Sequence, residues 1–217
     1  MGKPGIIANI QEGNDQVTIT FKQKSLRYLD EALQLNCFKD MLDMELFPNA
    51  KEITESFAAY EAVRKYCWPR VNPSDPNVVL VAVGDGSSPR TAATFAYRTR
   101  WQCFSIDPQL GNKTKWNEIQ RLKLYKNKIE EHIPKDFGIT RDTVVVLVLV
   151  HSHADIEQSV KRVMPCKNLN IIAMPCCFPQ TLEYTLTDMY DDWGVHSPHR
   201  TVKVWTNIKP WEGEYGK

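Results

Sequence analysis

No stretch of this sequence stays apolar for the roughly 20 residues that a helix needs to cross a bilayer. The run "TVVVLVLV" (Thr143 to Val150) is too short and too β-branched for that, and reads as a buried strand. The opening "MGKPGIIANIQEGNDQ" lacks the apolar core of a secretory signal. Gly2 is followed by Lys3, Pro4, Gly5 and Ile6, without the Ser or Thr of a myristoylation signal. There is no Cys-x-x-Cys pair, and six cysteines in 217 residues do not make a disulfide scaffold. The expectation is therefore an intracellular chain, cytoplasmic or nuclear, with reduced thiols and no membrane partner. Charge of one sign is also missing: 27 Lys and Arg stand against 26 Asp and Glu, a net of +1, so nothing forces a polyanionic partner. Internal repeats and low-complexity segments are absent. What is present is a globular composition, 42% hydrophobic and 24% charged, enough for one sizeable core.

The chain changes character at "PRVNPSDPN" (Pro69 to Asn77), where three prolines in nine residues interrupt any helix or strand. Residues 1–70 are expected to form an N-terminal extension, mainly helical, and residues 71–217 the main domain. In the extension, "QVTITFKQ" alternates as an edge strand or extended arm would. Ser25 can cap a helix with Leu26, Leu29 and Leu33 on one face. "FPNAKEITESFAAYEAVRKYCW" reads as another helix, with Asn49 near its start and Ile53, Phe57, Tyr60 and Val63 on one side.

Beyond the boundary, strands and helices alternate. Strands are expected at Val78 to Val83, Trp101 to Asp107, "RLKLYKN", "TVVVLVLV", Leu169 to Met174 and Thr201 to Ile208. Helices are expected at Pro89 to Thr99, briefly at Lys115 to Gln120, at Asp155 to Val163, and over Gln180 to Asp191. The strands ending near Val83, Val150 and Met174 are continuously apolar, as when helices cover both faces of a parallel sheet. The fold class is α/β: a doubly wound, mostly parallel sheet.

In such sheets, ligands bind beyond the carboxyl ends of the strands. The first strand runs into Gly84, Asp85, Gly86, Ser87 and Ser88, a turn that lets a ligand approach backbone amides at a helix N-terminus. Asp107 follows the second strand, where an acid can accept hydrogen bonds from both hydroxyls of a ribose. Asn127, beyond the third strand, joins Gly84, Asp85, Gly86, Ser87 and Asp107 as a cofactor-side candidate. A dinucleotide fingerprint wants a third glycine, and Ser-Ser-Pro stands in its place, with Pro89 suited to a first helical turn.

The Gly-Asp-Gly turn resembles motif I of class I S-adenosylmethionine-dependent methyltransferases, which need no pyrophosphate cradle. Their acid two positions before the first glycine is Ala82 here, and Asp85 is a candidate to take over its contact to the methionine amino group. "HSHAD" (His151 to Asp155) and "PCCFP" (Pro175 to Pro179) follow the fourth and fifth strands. They are similar to a His-Ala-Cys-Gly-Asp-like and a Pro-Cys-Cys-like segment of the methyltransferase domain found in some tRNA ribose methyltransferases, though Ser152, His153 and Ala154 replace the middle of the first. The resemblance spans about residues 77 to 180. It implies a Rossmann-like methyltransferase fold, S-adenosylmethionine as cofactor, and methyl transfer to oxygen or nitrogen. His151 or His153 would be the general base with Asp155 as orienter, or these residues serve equally well as helix-cap and packing residues after the fourth strand.

Other readings stay open. His151, His153, Cys166, Cys176 and Cys177 are good zinc ligands, but no Cys-x-x-Cys pair is present, two adjacent cysteines rarely hold one ion with good geometry, and small buried cysteines account for the pair better, so no metal is assigned. Lys113, Lys115, Arg121, Lys123, Lys126 and Lys128, interleaved with Trp116 and Tyr125, would suit an RNA backbone with a stacking surface. Lysines that guard a sheet edge explain them as well. "DWGVHSPHR" offers Trp193, His196, Ser197, His199 and Arg200 either to the substrate side of a pocket or to a packed connection. A non-catalytic binding protein and a nicotinamide-dependent oxidoreductase are the alternatives to a methyltransferase.

Overall fold

The computed structural model describes residues 7–13, 16–22, 25–177 and 179–209. Gly2 to Ile6, on which the reading of the N-terminus rests, lie outside them, as does Phe178 of the PCCFP segment. The chain opens with an antiparallel ribbon of β1 (Ile7–Gly13) and β2 (Gln16–Lys22). Three helices follow: α1 (Arg27–Gln34), α2 (Phe38–Asp43) and α3 (Ala50–Tyr66). Then come β3 (Val78–Val83), α4 (Arg90–Arg98), β4 (Gln102–Ile106), β5 (Leu122–Tyr125), β6 (Val144–Val150), α5 (Ile156–Val163), β7 (Asn168–Met174), β8 (Asp188–Asp191) and β9 (Thr201–Ile208).

Seven strands form one sheet in the order β5-β4-β3-β6-β7-β9-β8. β5, β4, β3, β6 and β7 run parallel, and β9 is antiparallel to both β7 and β8. The order reverses at β3 and β6, which places the switch point between their carboxyl ends.

The two-residue period of the strands sorts the core into two layers. Val78, Leu80, Ala82, Val146, Val148 and Ile172 face one side, against α1 to α4. Val79, Val81, Val83, Val145, Leu147 and Ile171 face the other, against Ile156, Val160 and Val163 of α5. The residues read as an N-terminal extension thus supply helices to one of the two covering layers.

Local differences from the sequence reading have physical causes. α1 buries Tyr28 and Ala32, and leaves Leu26 and Leu33 57% and 75% exposed. Tyr28 donates a 2.5 Å bond to the buried Asp192, which also pairs with Arg27, and that anchor sets the helix's rotation. Ser25 accepts from the Arg27 amide, but the N-cap is Leu26. The expected helix over Gln180 to Asp191 is a correction: its end is β8, whose register on β9 supplies backbone bonds that a helix would have to forgo. The short helix expected at Lys115 to Gln120 is a 3₁₀ turn at Thr114–Glu118.

Candidate functional site

The turn after β3 needs its glycines. Gly84 and Gly86 have φ of +72° and +83°, a region that other residues rarely adopt. The Gly84 amide donates to Ile106 O at 2.8 Å, tying the turn to the end of β4. A Cβ on Gly84 would lie 2.2 Å from Ser152 Oγ, so the turn after β3 and the loop after β6 touch.

Asp85 is buried under this turn. Its carboxylate accepts from the Thr91 and Ala92 amides at the start of α4, at 2.9 and 3.1 Å, and from Ser105 Oγ at 2.9 Å. Burial pushes its carboxyl upward, against the pull of Arg90 and the two amides. Asp85 therefore serves as a cap and strut, and its oxygens are engaged inside the protein.

Asp107 accepts from the Gly86 amide at 2.8 Å and from the Gln109 amide at 2.7 Å, and stays partly exposed. Each carboxylate oxygen keeps a further acceptor position. Ser87 is exposed, and its carbonyl accepts from Gly111. Asn127 lies past β5, where its Oδ1 meets His132 Nε2 at 2.7 Å. Gly84, Asp85, Gly86 and Asp107 are thus joined in one hydrogen-bonded turn, while the contact of Asn127 is with His132.

Two histidines leave β6 in different directions. His151, with φ +51°, sets Nε2 2.9 Å from Oε1 of Glu55, and its ring centroid lies 6.2 Å from that of His199. Glu55 comes from the amino-terminal part of α3 and its side chain is 0% exposed. Lys51, one turn earlier, reaches the same oxygen at 3.0 Å. Burial pushes the Glu55 carboxyl upward, but His151 and Lys51 outweigh it and hold it below the usual glutamate range. Around it, Arg90 Nε lies 2.5 Å from Glu52 Oε2, and Arg90 also donates to Asp85 O. α3 therefore lies over the carboxyl end of the sheet, beside the switch point.

Asp155, expected as an orienter of these histidines, accepts from the Gln158 amide and caps α5. The carboxylate paired with His151 is Glu55, which the sequence reading missed. Its signal was faint: an acid one turn after Lys51, in a helix whose neighbouring positions Phe57, Ala58 and Ala59 are small or apolar. His153 points elsewhere, with Nε2 3.2 Å from Cys177 Sγ, itself 3.2 Å from Cys176 Sγ. Cys166 is buried beside Met164 in the α5 layer.

Much of the basic segment is engaged. Lys113 and Lys115 both pair with Glu45. Arg121 donates to Ala96 O, and Trp116 is buried with its indole N–H on Met44 O, so it presents no stacking face. Lys123, Lys126 and Lys128 are exposed on or just beyond β5, an edge strand. The DWGVHSPHR segment is mostly a packed connection. Ser197 is buried, His196 donates from Nε2 to Ser25 O, and Arg200 covers the Trp193 ring at 4.4 Å. Its His199 ring lies 6.2 Å from that of His151.

A cavity of about 740 Å³ opens at the other end of the sheet, lined by Asp75, Gln102, Lys123, Phe137 and Asp142. It adjoins the amino ends of the strands, away from the switch point where open α/β sheets bind ligands.

These features define a doubly wound, Rossmann-like α/β protein. No family model matches the sequence, and no curated protein matches it. Among solved structures, a mutant of MtNAS is 11% identical, covering 85% of this chain and 70% of its own, with a TM-score of 0.49. The same mutant in complex with S-adenosylmethionine gives 9% and 0.46 over 85% and 72%. A mutant 16S rRNA (adenine(1408)-N(1))-methyltransferase from Catenulisporales acidiphilia, with cosubstrate SAM, gives 14% and 0.39 over 65% and 90%.

Proposed function

We propose that this chain binds S-adenosylmethionine at the Gly84–Gly86 turn and transfers its methyl group to an oxygen or nitrogen acceptor. The observation that carries the reading is the juxtaposition at the switch point: a turn held by two left-handed glycines, touching the loop that sets His151 against the buried Glu55. Buried Glu55 Oε2 and His151 Nδ1 have no hydrogen-bond partner among the described residues, which suits a polar ligand there.

The residues fit the group in chemical type. Asp107, with acceptor positions left beyond its two amide bonds, would hold the ribose hydroxyls. Glu55 would meet the methionine ammonium, the role that Ala82 leaves open and that Asp85 is too engaged to fill. When bound, the cofactor would supply an electrophilic methyl group on a sulfonium sulfur, with the neutral thioether as leaving group. The acceptor's proton passes to His151, oriented by Glu55, and α3 limits access of water over this end of the sheet. Positioning the acceptor in line supplies most of the catalysis.

RNA as the acceptor belongs to this proposal through Lys123, Lys126 and Lys128, because Lys113, Lys115, Arg121 and Trp116 have partners within the fold. A specific observation favours a second reading, a non-catalytic protein that keeps the fold. The turn's polar groups are already satisfied internally, with Gly86 on Asp107 and the α4 amides on Asp85.

Parallel calorimetric titrations with S-adenosylmethionine, S-adenosylhomocysteine and NAD separate the readings. Methyltransfer requires heat from the first two and none from NAD. Asp107→Ala removes charge-assisted bonds worth roughly 1.5–3 kcal/mol each, so affinity should fall at least about tenfold while the fold persists. Silence from all three ligands would leave the non-catalytic reading, and heat from NAD alone would replace both.

A further inference from the structure

β6 and β7 are adjacent and parallel, with Val150 opposite Met174. The chain leaves both strands on the same side of the sheet, and residues two or three positions further on must lie close together. His153, Cys176 and Cys177 occupy those positions. Their three donor atoms all fall within 4.8 Å of one another. Cys177 Sγ is 3.2 Å from His153 Nε2 and 3.2 Å from Cys176 Sγ. Gln180 clamps the loop by donating to the carbonyls of Ser152 and Ala154, both at 3.1 Å, on either side of His153. The backbone that presents the imidazole is thereby fixed.

We propose that His153 Nε2, Cys176 Sγ and Cys177 Sγ form a zinc site with its fourth position open to solvent. Two thiolates and an imidazole are a borderline-soft donor set, which favours zinc over magnesium or calcium. Three protein donors with one open position is the pattern of reactive rather than purely structural zinc. With zinc–sulfur bonds of about 2.3 Å, a tetrahedral ion holds two sulfurs roughly 3.7 Å apart. The sulfurs need to separate by about half an ångström from their present contact, which side-chain rotation permits because Cys177 is exposed and Cys176 half-buried.

A disulfide between the two is the competing fate, and geometry disfavours it. Adjacent Cα atoms are about 3.8 Å apart across a trans peptide, whereas disulfides usually span roughly 4.4–6.8 Å. The absence of a Cys-x-x-Cys spacing pointed the sequence reading away from metal. The third donor comes from a different strand end, which spacing along the chain does not reveal. The site is independent of whether a cofactor binds at Gly84.

The test uses the full chain, stripped with chelator and kept in reductant, then titrated with zinc against a chromophoric competitor. About one ion per chain should bind. Cobalt in its place should give a thiolate-to-cobalt charge-transfer band. His153→Gln, Cys176→Ser and Cys177→Ser should each abolish stoichiometric uptake and the band. Cys166→Ser, altering a buried thiol in the α5 layer, should change neither. These loop side chains are exposed or half-buried, so circular dichroism should show the variants folded, and the parent's cobalt spectrum reports thiolate ligation without any variant. No uptake by the reduced parent, or uptake and a band that survive all three substitutions, would overturn the site.

Discussion

At the scale of single residues, Gly84 is the most tightly hemmed glycine among the described residues. Its φ is +72°, and Ser152 occupies the space into which a Cβ would project. Gly138 has nearly the same φ, +69°, but nothing lies within 4 Å of its would-be Cβ. The pair separates backbone strain from collision. Left-handed backbone costs a non-glycine residue roughly 1–3 kcal/mol. Gly138→Ala should lose about 1 kcal/mol, and Gly84→Ala upward of about 3, because Ser152 Cα is also within 2.9 Å and cannot rotate away. Urea unfolding midpoints of the two variants check this, and equal losses would mean that the contact between the two loops is looser than described. Gly84 could be singled out in the sequence as a turn glycine. The partner that makes it irreplaceable, 68 positions later, could not.

At the scale of elements, α3 changes meaning between sequence and structure. Its apolar positions Phe57, Tyr60 and Val63 are legible as a buried face, and Asn49 as its cap, accepting from Glu52 N at 3.1 Å. Its Glu55 carries no signal in the sequence, because nothing local says that His151 will arrive opposite it. The apolar β3 and β6 are legible for a complementary reason: burial on both faces removes polar residues from the strand itself, and β7 departs from this only at its start, where the buried Asn170 is hydrogen-bonded. β8 was not, since a four-residue edge strand draws its stability from β9 and hardly from its own composition. The α3 contact has a pH signature. Glu55 is held below its ordinary range in the folded state, so its ion pairing stabilises the fold above the unfolded glutamate value, roughly 4.3, and is lost as pH falls through the lower folded value. Urea midpoints of the parent and of Glu55→Gln should therefore converge as pH drops from about 6 to below about 4. A constant difference across that range would show that Glu55 contributes by packing alone.

At the scale of the whole molecule, a net charge of +1 means that any attraction to a polyanion must come from local arrangement. The sequence shows a cluster of six cations, but folding divides it. Glu45 from the α2–α3 connection takes Lys113 and Lys115, the end of α4 takes Arg121, and three lysines are left along the β5 edge. Lys126 reaches Asn112, and Lys123 sits 5.6 Å over the Phe104 ring, so even these are partly placed by neutral neighbours. Two explanations compete for them: an RNA backbone that they track, or a sheet edge that they keep from pairing. Salt dependence distinguishes these. Each neutralised phosphate on a single strand contributes about −0.7 to the slope of log affinity against log salt, so three working lysines account for a slope near −2. Changing Lys123, Lys126 and Lys128 to Gln should remove about that much of the slope while leaving S-adenosylhomocysteine binding intact, because β5 is separated from the Gly84 turn by β4. If parent and triple variant bind a single-stranded RNA equally weakly, with the same shallow slope, the lysines guard the edge. The methyl acceptor is then to be sought among small molecules and protein side chains. A variant that aggregates while retaining the parent's RNA affinity would give the same answer by the other route, since edge protection would then be the function the lysines had been serving.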